Sequence, residues 1–220
     1  MEYKGTLSTR LRIKLQFCAY SLRQASGMLF ANGDAPKRFR NYLLTMHSII
    51  RSSVPLMQTA YHRCDMSNHD KILAELKEYY KIHTEEEMYH DEWLLDDLEE
   101  IGVSRQESLS KKPSQKVAEL VGSQYYWINH WHPVCLLGYI SFLEGNPPET
   151  RMIDRLEEIT GYPKLAFRTI RKHSQLDTSH RDDLNRLLDT LPLTTLHEHW
   201  ITYNALYSAN KFTEIIRTID

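Results

Sequence analysis

Apolar residues recur every three to four positions along most of the chain, and no stretch sustains the period-two alternation of a half-buried strand. The pattern is all-α. The first predicted helix covers about residues 6–31, with its stripe at Leu11, Leu15, Cys18, Ala19, Leu22 and Leu29. A second covers about 37–64, with Pro55 inside it and a kink expected there. A third covers about 69–101, striped by Ile72, Leu73, Leu76, Tyr80, Trp93 and Leu98 and ended by Gly102. Residues 103–114 are polar and read as a loop. A fourth helix is expected over about 115–144, bent at Pro133 and stopped at Gly145. A short helix over about 149–160 stops at Gly161. Pro163 then opens the helix that carries His173, and further helices are expected over about 180–190 and 194–218.

Composition adds little to that picture but excludes a good deal. With 220 residues the chain suits one sizeable core, so a single domain over 1–220 is expected. A net charge of −2 gives no basic surface for nucleic acid or anionic membranes. No apolar run approaches a membrane span, and the N-terminus lacks the apolar core of a signal peptide. Cys18, Cys64 and Cys135 are odd in number and far apart, which fits reduced thiols better than a disulfide or zinc framework. The expectation is a cytoplasmic enzyme or binding protein acting on a small molecule, with a homodimer through the first or last helix left open.

The candidate chemistry lies in a repeated pattern. His173, Asp177 and His180 follow His-x3-acid-x2-His, and His83, Glu87 and His90 repeat it earlier in the chain. On a helix the three positions fall within a narrow arc, at roughly 0°, 40° and −20°. Two helices each presenting imidazole, carboxylate and imidazole to one face is the donor set of a buried first-row metal site. Glu144 is a further candidate, an acid closing a mostly apolar run, where a carboxylate needs a partner. His83 has three readings open: a ligand, a group supporting a ligand, or a capped surface histidine.

Each candidate has a bland competitor. Glu85, Glu86, Asp91, Glu92, Asp96, Asp97, Glu99 and Glu100 on the third helix read as a solvated acidic face. Ser179 and Asp182 resemble a capping box that would start a new helix and break the register of His173 with His180. His130 and His132 are roughly 200° apart, so at most one of them faces the core with Glu144. His197 and His199 point apart on a helix and are set aside. Tyr125, Trp127, His130 and Tyr139 are candidates for an aromatic substrate pocket, with core packing as the competing reading.

These residues together resemble a known group. The run from His83 through Glu86, Glu87 and His90 into Trp93-Leu-Leu-Asp-Asp-Leu, the run from Gln124 through His130, His132 and Pro133 to Ile140, and Leu143-Glu144-Gly145 carry most of the likeness. With His173, Asp177, His180 and Leu191-Pro192-Leu193 they look like the iron-containing redox enzymes of the haem-oxygenase-like di-iron oxidase superfamily. The resemblance implies a bundle of about seven helices with a haem-oxygenase-like or thiaminase-like fold. It also implies one or two non-haem Fe ions and O2 as co-substrate. The implied substrate is a small organic molecule, such as an amino acid or fatty acid in a biosynthetic pathway. His90, Glu144, His173, Asp177 and His180 match the family's ligand positions. Two departures stand out: His83 occupies a place where many members carry Glu, so Glu87 would stand in, and no acid lies between Asp34 and Asp65. The alternatives are a thiaminase-like hydrolase, which needs a nucleophilic cysteine, and a non-catalytic helical small-molecule-binding protein.

Overall fold

The computed structural model describes residues 5–31, 34–66, 70–145 and 148–220, apart from the side chains of 177–179. The described residues form α-helices and two short 3-10 turns, with no strand among them. In chain order the helices are α1 (Leu7–Ala31), α2 (Ala35–Ile50), α3 (Ser53–Cys64), α4 (Leu73–Glu87), α5 (His90–Glu99) and α6 (Arg105–Ser110). They continue with α7 (Gln115–His130), α8 (Leu136–Glu144), α9 (Thr150–Thr160), α10 (Arg168–Thr190) and α11 (Thr195–Ile216). With the three interrupted pairs α2–α3, α4–α5 and α7–α8 each counted as one long element, eight remain, close to the expected bundle of about seven.

The interruptions have local causes. The expected second helix is α2 and α3, parted at Arg51–Ser52. Pro55 falls in the first turn of α3, where its missing N–H leaves no bond unmade. The expected fourth helix is α7 and α8, joined by a 3-10 turn over Pro133–Cys135. The segment 103–114, expected as a loop, contains α6, which is capped by Ser104 accepting from the Glu107 N–H. Ser104 and Glu107 have capping-box spacing, so the sequence did carry that signal. In contrast, the break expected before His180 does not occur, and α10 runs straight through it.

The third expected helix is broken between α4 and α5. Tyr89 adopts a left-handed conformation with φ of 71°, the one positive φ of a non-glycine residue among the described residues. Such a backbone costs on the order of 1–3 kcal/mol and persists where its surroundings enforce it. It lies between Glu87 and His90.

Two larger apolar cores hold the bundle, with a small third one at Ala25, Leu29 and Ile216. The larger gathers Leu76, Tyr80, Leu120, Ile128, Leu137 and Ile201 from α4, α7, α8 and α11. The smaller centres on Phe39 of α2 stacked on Phe167 just ahead of α10, 4.5 Å between ring centroids, with Leu98 and Leu156 beside them. Each such side chain contributes about 1.5–3 kcal/mol when fully buried. A buried polar knot ties three elements: Asn204 on α11 donates to Gln124 Oε1 on α7 and to the Cys135 carbonyl, while Ser208 donates to Asn204 Oδ1. No described helix is long and apolar enough to cross a membrane.

α8 is pressed against α11 at Gly138. A Cβ there would collide with the Ile201 carbonyl oxygen and lie 2.8 Å from the Ala205 nitrogen. Gly138→Ala is therefore expected to destabilise the fold by about 1–3 kcal/mol. A thermal-unfolding midpoint unchanged from the parent protein would contradict this close approach.

Candidate metal centre

Four segments converge on one point inside the bundle. The last turn of α4 supplies His83, Glu86 and Glu87, and the first residue of α5 is His90. The last residue of α8 is Glu144, and the middle of α10 carries His173 and His180. α10 packs against both α8 and α5, which closes the ring around these side chains.

The side chains fall into two groups of potential ligands, and both contain Glu87. His83, Glu87, Glu144 and His180 form the first, and Glu87, His90 and His173 the second; within each group the ligand atoms lie within 4.8 Å of one another. Glu87 turns one oxygen to each side. Its Oε2 is 3.0 Å from His90 Nδ1, and its Oε1 is 3.5 Å from His180 Nδ1. The rings pair across the site, His83 with His180 at 5.1 Å between centroids and His90 with His173 at 5.0 Å. Contrary to the single-helix reading, His83 and His90 do not serve one position. The break at Tyr89 assigns His83 to the first group and His90 to the second.

Hydrogen bonds leave one nitrogen of His173 free and engage both nitrogens of His83. His173 Nδ1 donates to the Thr169 carbonyl at 2.9 Å, and since a carbonyl can only accept, Nε2 keeps its lone pair. Burial lowers the His173 pKa and favours this neutral ring. His83 Nδ1 bonds to Glu86 Oε2 at 3.2 Å and its Nε2 meets Glu144 Oε1 at 2.6 Å. Burial opposes a charge on His83. The bond to Glu144, together with the charges of Glu144 and Glu87, outweighs it and raises the pKa to about 9. Burial also raises the Glu144 pKa, with His83 pulling against it across their short contact. For Glu87, burial is overcome by the bond with His90, and the carboxyl is held below its usual range.

The donor set fits iron. It offers imidazole and carboxylate without thiolate: two of each in the first group, and two imidazoles with one carboxylate in the second. The latter is the composition of non-haem Fe(II) sites with open positions. Glu144 Oε2 and His180 Nδ1 are buried without any hydrogen-bond partner, an arrangement that a cation between them would resolve. Side-chain exposure is only 3% for His83 and His90 and 8% for His180, so the ring of donors is shielded from water.

A second histidine cluster does not fit a metal. His132 lies 3.1 Å and His197 3.9 Å from Asp70 Oδ2. However, His132 Nδ1 accepts the Val134 N–H and His197 Nδ1 accepts the Thr194 N–H. Each Nε2 therefore carries the hydrogen and points it at Asp70, leaving no lone pair for an ion. This cluster ties the starts of α4, the 3-10 turn and α11.

Of the other expected residues, the Asp177 side chain lies outside the described residues. Tyr139 lines a cavity of about 1060 Å³ that reaches His83, Glu87, Glu144 and His173. Tyr125, Trp127 and His130, expected beside Tyr139, are not in its wall. Trp127 packs its ring on Tyr203 and Tyr207, His130 is exposed against Tyr126, and Tyr125 packs against the larger core. Sequence reasoning missed four supports. Glu86 and the Thr169 carbonyl orient His83 and His173. Asp97, fully buried, accepts the Thr169 N–H at 2.8 Å and so caps α10 from α5. Trp93 stacks on His90 at 4.0 Å, with Lys172 Nζ 3.7 Å above its ring.

Comparison with known proteins agrees with this geometry. No curated protein sequence matches the chain. Among solved structures, a domain of unknown function with a heme oxygenase-like fold from Shewanella denitrificans OS217 is similar at a TM-score of 0.81. The identity is 16%, over 99% of this chain and 93% of that one. A TenA homolog from Pseudomonas syringae pv. tomato DC3000 is similar at 0.66 and 10% identity, over 98% of this chain and 97% of that one. These likenesses establish a haem-oxygenase-like fold. Residues 40–205 match the family described as iron-containing redox enzyme. That match covers well over half of the chain, and the protein belongs to this family.

Proposed function

We propose that the chain is a non-haem di-iron oxidase or oxygenase that uses O2 to transform a small organic substrate. The observation that carries this reading is Glu87, whose two oxygens face two separate sets of imidazoles. One carboxylate shared by two nitrogen-rich groups is the arrangement that bridges two ions in helical di-iron sites. His83, Glu144 and His180 would hold one iron, His90 and His173 the other, with Glu87 between them. Iron bound there would supply redox chemistry with O2, which side chains alone do not provide.

The remaining roles belong to the chain itself. Glu86, Thr169 and Asp97 fix ring orientations. The apolar cavity excludes water and places substrate beside the donors. Glu144 and His83 hold a proton at Oε1 and Nε2 until a cation displaces it. The thiols support the oxidase reading over a thiaminase-like hydrolase. Burial raises Cys135 and Cys64 to about 12 and also raises Cys18, so none is prepared as a thiolate nucleophile.

Two experiments test this. Anaerobic loading with Fe(II) is expected to give about two irons per chain. Glu87→Ala is expected to abolish loading at both positions, and His173→Ala to leave about one iron. A wild-type stoichiometry of about one that His173→Ala leaves unchanged would contradict the paired site, and no iron at all would contradict the oxidase. The second experiment follows from His83. With a pKa of about 9 it is charged at pH 7, so loading there expels about one proton per chain. Apparent metal affinity should then rise with pH, by up to about tenfold per unit, and level off near the His83 pKa. An affinity flat across that window would contradict the raised His83 pKa.

A further inference from the structure

We propose that the outer face of α1 docks on an anionic lipid surface. The helix lies along that surface, with Phe17, Tyr20 and Met28 in the interfacial layer and Arg12, Lys14 and Arg23 among the headgroups. This interaction belongs to the outside of the fold and is independent of the metal centre.

α1 carries two apolar stripes, where a surface helix ordinarily carries one. Leu7, Leu11, Leu15, Ala25 and Leu29 are buried against the bundle. On the other side Phe17 is 80% exposed, Met28 72% and Tyr20 63%. Phe17 is the most exposed large apolar side chain among the described residues. At 100° per residue, Phe17, Tyr20, Gln24 and Met28 share an arc of about 80°, and the stripe from Phe17 to Met28 is about 16 Å long. Its one polar member turns inward on the stripe: the Gln24 amide donates to the Tyr20 hydroxyl at 2.8 Å. Single exposed apolar residues are ordinary, but an aligned row of them marks a surface that meets something.

Charge says what it meets. The net charge of −2 argued against a basic surface for an anionic membrane, but that charge is unevenly spread. Residues 6–33 contain four basic residues and no acid. Arg10 is paired with Glu198 at 2.6 Å. Arg12, Lys14 and Arg23 are exposed and make no ion pair among the described residues. Arg12 and Arg23 fall on one side of the stripe, about 60–80° from Tyr20, and Lys14 on the other, about 40° from Met28. Cations at both edges of an apolar row are the layout of an interfacial helix. Their stems cover apolar surface while their heads reach phosphate.

The same features disfavour the other occupants. In a symmetric contact between two copies of α1, the unpaired cations would face one another with no acid on either helix. A protein partner is anchored by side chains that fill pockets, whereas this face is a convex helix ridge, and the cavity lies behind it on the inner side of α1. An anionic bilayer offers a deformable apolar layer to the rings and phosphates to the cations.

Flotation with vesicles tests this, using phosphatidylcholine alone and an equimolar mixture of phosphatidylcholine and phosphatidylglycerol. The protein is expected to float with the mixed vesicles at least about tenfold better than with phosphatidylcholine, and to be released as salt is raised. Phe17→Ser should weaken binding by about tenfold. Arg12→Glu combined with Arg23→Glu should weaken it by more than about tenfold. Leu109→Ser, which removes an apolar side chain of similar exposure on α6, should leave it unchanged. All these side chains are exposed, so the thermal-unfolding midpoint and iron loading should stay at the parent level. Iron-free and iron-loaded protein should float alike, which keeps this outcome separate from that of the oxidase reading. No flotation at low salt, equal flotation with both vesicle types, or indifference to the α1 substitutions would overturn the proposal. So would a dimer, measured by light scattering, that Phe17→Ser dissociates, since it would assign the face to a second copy.

Discussion

A single carboxylate organises this site. Glu87 is held at 10% side-chain exposure between imidazoles on both sides, with His90 on one oxygen and His180 near the other. A buried carboxylate is expensive unless paired, and several imidazoles around it are expensive unless they too find partners. The surrounding architecture meets those needs from separate elements. α8 ends at Glu144 against His83, α10 passes close enough to supply His173 and His180, and the chain breaks at Tyr89 so that His90 can approach Glu87 from the far side. The strained residue of the backbone thus stands between two donors of the site.

The rest of the fold can be understood as support for that arrangement. Of the two larger cores, one is built mainly on α4, α7, α8 and α11, the other on α2, α5, α9 and the start of α10. Asp97 fastens two elements of the second core to each other. It reaches from α5 to the first turn of α10 and fixes the peptide of Thr169, whose carbonyl sets the His173 ring. The orientation of the His173 ring therefore depends on Asp97, which does not touch it. This also separates the cluster from the Asp70–His132–His197 group, which is similar in composition. There, backbone N–H groups consume the Nδ1 lone pairs; at His173, a backbone carbonyl takes the Nδ1 hydrogen.

Much of this was legible in the sequence because it depends on spacing. The 3.6-residue period located the helical segments, and the repeated His-x3-acid-x2-His located the donors on α4, α5 and α10. What was not legible depends on tertiary contact. Nothing in Met88-Tyr89 signals a left-handed residue, so the division of His83 from His90 could not be read. Asp97 sits in an acidic run that looks like a solvated surface, and only packing reveals it as fully buried. The aromatic residues of α7 suggested a pocket, but Trp127 turns to Tyr203 and Tyr207. The cavity instead draws more of its wall from α1 than from any other helix, and the α1 stripe looked like ordinary core.

The central claim is that Glu87 is shared between two metal positions rather than belonging to one. Mössbauer spectroscopy of the iron-loaded, air-oxidised protein reports this directly. A shared carboxylate predicts an antiferromagnetically coupled ferric pair, seen as a diamagnetic quadrupole doublet at low temperature and small field. Magnetically split spectra of isolated high-spin ferric ions, with no coupled component, would contradict it.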